Sequence, residues 1–208
     1  MFIAFEGGEG SGKSTQVALL ARALELSHRV VVTREPGAGW LGSQVRGLVL
    51  DPAHTDLSPR AEALLYAADR AQHVATLVRP ALNGGAVVLT DRYLDSSIAY
   101  QGAGRGLGST DVAWISRWAT AELLPHLTVV LDIDPRVGLA RAGNSEFGAR
   151  DRLEAQALAF HERVRAQFLA LASAEPHRYL VADASASVLT TAALVLAAVR
   201  SVLERPTP

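Results

Sequence analysis

Phe2-Ile3-Ala4-Phe5-Glu6-Gly7-Gly8-Glu9-Gly10-Ser11-Gly12-Lys13-Ser14-Thr15-Gln16-Val17 organises the whole chain. An apolar run short enough for one strand leads into Gly7–Ser14, and Thr15–Ala21 then reads as a helix. Strand, glycine-rich loop and helix is the setting a phosphate-binding loop requires. Its glycines let consecutive N–H groups turn inward around phosphate oxygens, and the helix adds the positive end of its dipole. Gly7, Gly8, Glu9, Gly10, Ser11, Gly12, Lys13, Ser14 and Thr15 therefore form the expected cradle for a nucleotide's phosphates. Lys13 would reach the β- and γ-phosphates, and the Ser14 hydroxyl would ligate Mg²⁺. The plain alternative is a flexible turn. Against it stand the flanking strand and helix, and the fact that Lys13 is the only lysine in a chain whose other basic side chains are arginines. A compact ammonium suits a phosphate cradle.

Outward from this loop, short runs rich in Val, Ile and Leu alternate with longer amphipathic stretches. Strands are expected at Phe2–Phe5, Val30–Thr33, Val87–Thr90, Thr128–Asp132 and Tyr179–Ala182. Helices are expected at Lys13–Ser27, Leu41–Leu50, Pro59–Leu82, Thr110–Leu124, Pro135–Ala142, Leu153–Ala174 and Ala186–Glu204. Unalternated apolar strands separated by helices imply an α/β fold: a doubly wound, five-stranded parallel sheet with helices on both faces. At 208 residues one domain, 1–208, is the natural expectation.

Composition narrows the partners. The formal net charge of −1 gives no general attraction to nucleic acid or to an acidic membrane, so anions must be held by local arginine clusters. No cysteine is present, which removes disulfides and thiolate metal sites and fits a reducing compartment. Neither the short N-terminal apolar run nor Val188–Val199 suits a signal peptide or a membrane span, so a cytoplasmic protein is expected. The six histidines are scattered without ligand spacing and read as surface or packing residues.

In such a sheet, ligands sit beyond the carboxyl ends of the strands. Charged residues recur there: Arg34-Glu35-Pro36-Gly37, Asp91-Arg92-Tyr93, Asp132 with Asp134, and Asp183. Arg34 and Arg46 suit a second phosphate opposite the nucleotide; alternatively, Arg34 makes a surface ion pair with Glu35. Tyr66 and Arg70 share a helix face, where a ring and a planar donor suit a nucleobase. They also fit a core aromatic beside a snorkelling arginine, with Glu62 one turn away as a possible partner for either. Asp91 suits Mg²⁺ and Arg92 a bridge between phosphates, or the two form a strand-end ion pair. Arg141, Arg150 and Arg152 flank a stretch broken by Gly143 and Gly148. That segment, about 141–152, reads as an arginine-bearing lid closing over the nucleotide, or as a solvated charged loop.

With these residues in view, the chain resembles the bacterial type of thymidylate kinase, a P-loop nucleoside monophosphate kinase family, across almost its whole length. The most specific match is Leu89-Thr90-Asp91-Arg92-Tyr93-Leu94-Asp95-Ser96-Ser97-Ile98-Ala99-Tyr100-Gln101-Gly102. The phosphate loop, Arg34–Gly37, Leu64–Arg70 and Asp151-Arg152-Leu153-Glu154 match in the same order. The resemblance implies phosphoryl transfer from MgATP to dTMP by a homodimer. It implies that Lys13 and Ser14 serve ATP and Mg²⁺. Phosphoryl transfer of this kind needs no strong general base, so Asp91 is assigned to metal and orientation rather than proton abstraction. The resemblance further implies that Glu9 reaches the acceptor's 3′-hydroxyl, and that Arg34 and Arg92 hold its phosphate with Arg46 in support. Tyr66 would stack on thymine, Arg70 would address a base carbonyl, Tyr100 would crowd the 2′ position and Gln101 would approach the base; Ser97 is a further candidate for substrate binding. Gly10 stands where the eukaryotic type has an arginine, so the catalytic cation would come from the lid, from Arg141, Arg150 or Arg152. Trp114 and Trp118 would serve the dimer interface or the core. Ala38 replaces a family glycine and would need an ordinary φ. A kinase for another nucleoside monophosphate or a deoxynucleoside, a P-loop switch, and a structural interaction protein remain as alternatives.

Overall fold

A computed structural model describes residues 1–143 and 151–204. Five parallel strands, β1 (Phe2–Glu6), β2 (Val30–Arg34), β3 (Val87–Asp91), β4 (Leu127–Asp132) and β5 (Tyr179–Asp183), form one sheet in the order β2-β3-β1-β4-β5. Helices α1 (Lys13–Leu24), α2 (Gly39–Leu50), α3 (Pro59–His73), α4 (Arg79–Asn83), α5 (Leu94–Ser97), α6 (Ser109–Thr120), α7 (Pro135–Gly143), α8 (Leu158–Ala174) and α9 (Val188–Leu203) surround it. The doubly wound arrangement expected from the alternation is the one found.

The pleat of β1 explains why its run is apolar throughout. Ile3 and Phe5 pack toward Val17 and Leu20 of α1 and Val195 and Val199 of α9. Phe2 and Ala4 pack on the opposite face, toward Val74, Val78, Leu94 and Ile98. Successive side chains of a strand point to opposite faces, so a strand covered on both must be apolar at every position. Strand register then aligns the polar ends. Arg34 lies beside Asp91, Asp91 beside Phe5, Glu6 beside Val130, and Asp132 beside Asp183. Among the described residues, no helix is long and apolar enough to cross a membrane.

Three departures from the expected elements have physical causes. The helix expected over Pro59–Leu82 is divided by a π-helical turn at Val74–Val78. Pro80 has no N–H for the carbonyl four residues back, and its ring needs room there. The segment after β3, for which no helix was expected, forms α5 and a π-helical turn at Ile98–Gly104. Its glycines mark close packing: a Cβ on Gly104 would lie 2.6 Å from the Phe160 ring, and one on Gly102 2.9 Å from Ser109 Cα. The helix expected from Leu153 begins at Leu158. Before it, Asp151 Oδ1 accepts from the N–H groups of Leu153 and Glu154, and the Glu154 carboxylate accepts from Asp151 N, closing a turn instead.

Candidate active site

The phosphate loop is built tightly between β1 and α1. Gly10 and Gly12 take left-handed backbone angles, with φ of 63° and 87°. Helix α7 packs on the loop so closely that a Cβ on Gly10 would collide with the Gly138 carbonyl oxygen, and one on Gly138 with the Glu9 carbonyl. The loop therefore has no room for any side chain at position 10, which gives the missing arginine a steric reason. Lys13 is buried and folds back over the loop, donating to Gly7 O at 3.1 Å and Gly8 O at 2.8 Å. Burial and the nearby Arg92 charge pull its pKa below the ordinary lysine value. Ser14 Oγ donates to Asp91 Oδ2 at 2.6 Å, so the two expected metal ligands stand together at the mouth of a cleft of about 460 Å³. Arg34, Arg46, Arg92 and Arg141 line the same cleft.

A second cavity, of about 170 Å³, opens beside the first. Tyr66, Arg70, Ser97, Tyr100 and Gln101 line it, and Glu9, Glu35, Arg46 and Arg92 line both spaces. Arg92 stands at the junction. Its φ of 70° is uncommon outside glycine. Neighbours hold this conformation: Arg92 N donates to Phe5 O at 2.9 Å, and Thr90 Oγ1 donates to Arg92 O at 2.8 Å. The guanidinium then reaches Gly7 O, Ser96 Oγ, Tyr100 Oη and Glu9 Oε1. Tyr100 Oη donates to that same Glu9 oxygen at 2.5 Å. Burial works to raise the Glu9 pKa, but Arg92, Lys13 and the Tyr100 hydroxyl outweigh it and hold the pKa at about 2. Burial likewise disfavours the charge on Arg92, and Tyr100, Glu9 and Asp91 more than offset it.

Beneath this junction lie residues that the sequence reading did not select. Glu6 accepts from Tyr93 N at 2.8 Å, Ser96 N at 3.1 Å and Ser96 Oγ at 2.6 Å, and so fixes the turn that carries Arg92. Burial and the neighbouring Asp95 carboxylate push its pKa up to about 8. Glu35 joins Arg70 at 2.7 Å and His73 at 2.8 Å in the interior. It does not form the suggested surface pair with Arg34, and His73 is one of the packing histidines, a buried bridge whose Nε2 meets Thr33 Oγ1 at 2.8 Å. The signal for Glu6 was available: a carboxylate at the last position of a strand that is apolar throughout needs a polar partner inside. Glu35 follows the half-exposed edge strand β2 and carried no such signal.

Arg70 is not a snorkelling side chain. It is 1% exposed, and four of its five N–H groups are engaged: Nε by Glu35, Nη1 by Ser116, and Nη2 by Tyr93 O and Ser97. Glu62 pairs with neither Tyr66 nor Arg70 but with Gln101, Arg105 and Arg152. Arg152 corrects the lid expectation. It is 9% exposed and donates to Glu62 and Val49 O, because a strong acceptor set in the interior captures it. Arg141 donates to Ala184 O at 2.9 Å and remains beside the phosphate loop. Arg150 lies outside the described residues. Ala38 adopts φ −80°, the ordinary value expected of it. Trp114 and Trp118 are 68% and 72% exposed, which removes them from the core.

Comparison with known proteins agrees with this geometry. The profile of the thymidylate kinase family matches residues 5–195. The chain is 58% identical to the thymidylate kinase of Leifsonia xyli subsp. xyli over 194 residues, covering 93% of this chain and 91% of that protein. It is 52% identical to the thymidylate kinase of Gloeobacter violaceus over 200 residues, covering 96% and 94%. The crystal structure of thymidylate kinase from Ehrlichia chaffeensis superposes with a TM-score of 0.78 at 30% identity, covering 96% of this chain and 98% of that one. A phosphate loop, a paired cavity and near-complete coverage by these relatives lead to one conclusion: the chain belongs to the thymidylate kinase family.

Proposed function

We propose that this chain transfers the γ-phosphoryl group of ATP to dTMP, giving ADP and dTDP. The observation that carries the reading is the pair of adjoining cavities with Glu9, Arg46 and Arg92 on their common wall. ATP phosphates would lie in the loop cleft, against Lys13 and the backbone N–H groups of the loop. The dTMP phosphate would lie at the junction against Arg92, with Arg34 and Arg46 above it. Tyr66, Arg70, Ser97 and Gln101 would surround the base, and Glu9 and Tyr100 the sugar. Two nucleotides held end to end in this way place the reacting groups in line, so catalysis is positioning plus charge neutralisation. With the Glu9 pKa at about 2 it is ionised at neutral pH and accepts hydrogen bonds only.

Ser14 and Asp91 offer two oxygens at the phosphate cleft, a donor set that fits Mg²⁺, an ion usually held by few protein ligands together with phosphates and water. Bound there, the ion would neutralise charge on the phosphates. Arg141 and Arg150 remain the candidates for a further cation, with Arg141 already at the cleft. The same reading makes the protein a cytoplasmic homodimer. The outward Trp114 and Trp118 on one face of α6 support the dimer, and the cysteine-free chain fits the compartment. The test of the activity is ADP release from ATP with dTMP, dUMP, dCMP, AMP, GMP and thymidine as separate acceptors. Preference for dTMP is expected; preference for any other acceptor would overturn the assignment.

A further inference from the structure

Glu62 does not line the base cavity, yet it holds one of its walls. It lies on α3 one turn before Tyr66, and its side chain is fully buried. Oε1 accepts from Gln101 Nε2 at 2.8 Å and from Arg105 Nε at 3.3 Å. Oε2 pairs with Arg105 Nη2 at 3.2 Å and with Arg152. Arg152 is itself tied to Val49 O, and its backbone N–H donates to Leu50 O, so Glu62 is fixed from both sides.

An amide side chain has a donor end and an acceptor end, whereas a carboxylate flanked by two guanidinium groups offers acceptors only. Glu62 can therefore take only the NH₂ end of Gln101. Turned round, the amide oxygen would face a carboxylate oxygen with no proton between them. The carbonyl is the polar end left for the cavity that Gln101 lines. Arg70 lines the same cavity; with four of its five N–H groups engaged in the interior it brings one further donor and no acceptor. A donor beside an acceptor is complementary to a base edge that carries C=O next to N–H.

We propose that Glu62 is a positioning residue that sets the hydrogen-bond polarity of the base cavity. By holding the Gln101 NH₂ group, it presents the Gln101 carbonyl and selects a pyrimidine with a proton on N3 over one whose N3 is an acceptor. This rests on the reading of the cavity as the dTMP site. A site built around a specific hydrogen bond rejects a mismatched analogue strongly, because its own buried polar group is left unpaired.

The test compares kcat/KM for dTMP and 5-methyl-dCMP, which differ only at N3 and C4 of the ring. The wild-type chain should favour dTMP by at least about 10²-fold. Glu62→Gln keeps the shape but allows the Gln101 amide to turn, and should cut that preference at least ~10-fold, the scale of one hydrogen bond. A merely structural Glu62 would lower both substrates together, and an unchanged ratio overturns the proposal. A wild-type chain inactive on dTMP would instead sink the functional reading beneath it. A second measurement needs no variant: in the wild-type protein without nucleotide, the Gln101 NH₂ protons should already exchange slowly with solvent by NMR. Fast exchange that slows only when dTMP binds would overturn the proposal as well.

Discussion

Three alanine substitutions within the phosphate loop separate backbone conformation from steric room. Gly8 has no positive φ, and a Cβ there would meet nothing within 4 Å. Gly12 has φ 87° and equally open surroundings. Gly10 has φ 63°, and its Cβ would collide with Gly138 O, lie 2.9 Å from the carbon of that carbonyl and 3.1 Å from Arg141 Cβ. Gly8→Ala should change stability by no more than about 0.5 kcal/mol. Gly12→Ala carries the left-handed cost alone, about 1–2 kcal/mol. Gly10→Ala carries that cost plus backbone overpacking of about 1–3 kcal/mol, or roughly 2–5 kcal/mol together. For a chain of this size those values correspond to Tm losses of roughly 2–8 °C for Gly12→Ala and roughly 4–20 °C for Gly10→Ala. Because the relief of the overlap moves α7, and Arg141 with it, Gly10→Ala should also lower kcat at saturating ATP. The assay is thermal unfolding of all three variants alongside steady-state turnover. If Gly10→Ala unfolds no earlier than Gly12→Ala, the packing of α7 on the loop does not constrain it, and the steric account of position 10 is wrong.

Other substitutions test single parts of the account. Lys13→Ala should lower kcat at least ~10²-fold, the scale of losing one placed electrostatic donor; near-normal turnover would remove Lys13 from the chemistry. Arg152→Met should cost about 3 kcal/mol in urea unfolding, as breaking a buried ion pair does; normal stability with a collapsed kcat would restore it as a lid cation. Asp69→Asn tests a buried carboxyl. Burial and the Glu35 carboxylate push the Asp69 pKa from 3.8 to about 6, so the fold favours the protonated form and wild-type stability falls as pH rises through that range. Asparagine cannot ionise, so its advantage over wild type should be only about 0.5 kcal/mol near pH 4 and grow to at most about 3 kcal/mol by pH 8. Equal unfolding free-energy differences at both pH values would contradict this.

The central strands β1, β3 and β4 were legible because burial on both faces forces continuous apolar runs, the half-exposed edge strands β2 and β5 because of their Val- and Leu-rich composition, and the helices because their faces differ. The loop Gly7–Ser14 was legible because its glycine and lysine spacing follows directly from wrapping backbone around phosphate. The π-helical turn at Ile98–Gly104 was not, since its glycines answer to Phe160 on α8 and Ser109 on α6, which only the fold brings near. The arginines divide in the same way. Arg34, Arg46, Arg92 and Arg141 line the phosphate cleft, while Arg152, equally basic in sequence, is drawn inside by Glu62 and Val49 O. Charge and spacing name the candidates for anion binding, but what an arginine does depends on which acceptor is nearest, and that is a long-range fact.

The sequence alone therefore determined the scaffold, the family and the phosphate loop, because each rests on local spacing and strand burial. The tertiary structure decided that position 10 must be glycine beneath α7, that Glu6 and Glu35 underpin the site, and that Glu62 orients Gln101. Each of these depends on contacts between segments distant in the chain, where shape and hydrogen-bond polarity are settled by packing rather than by residue type.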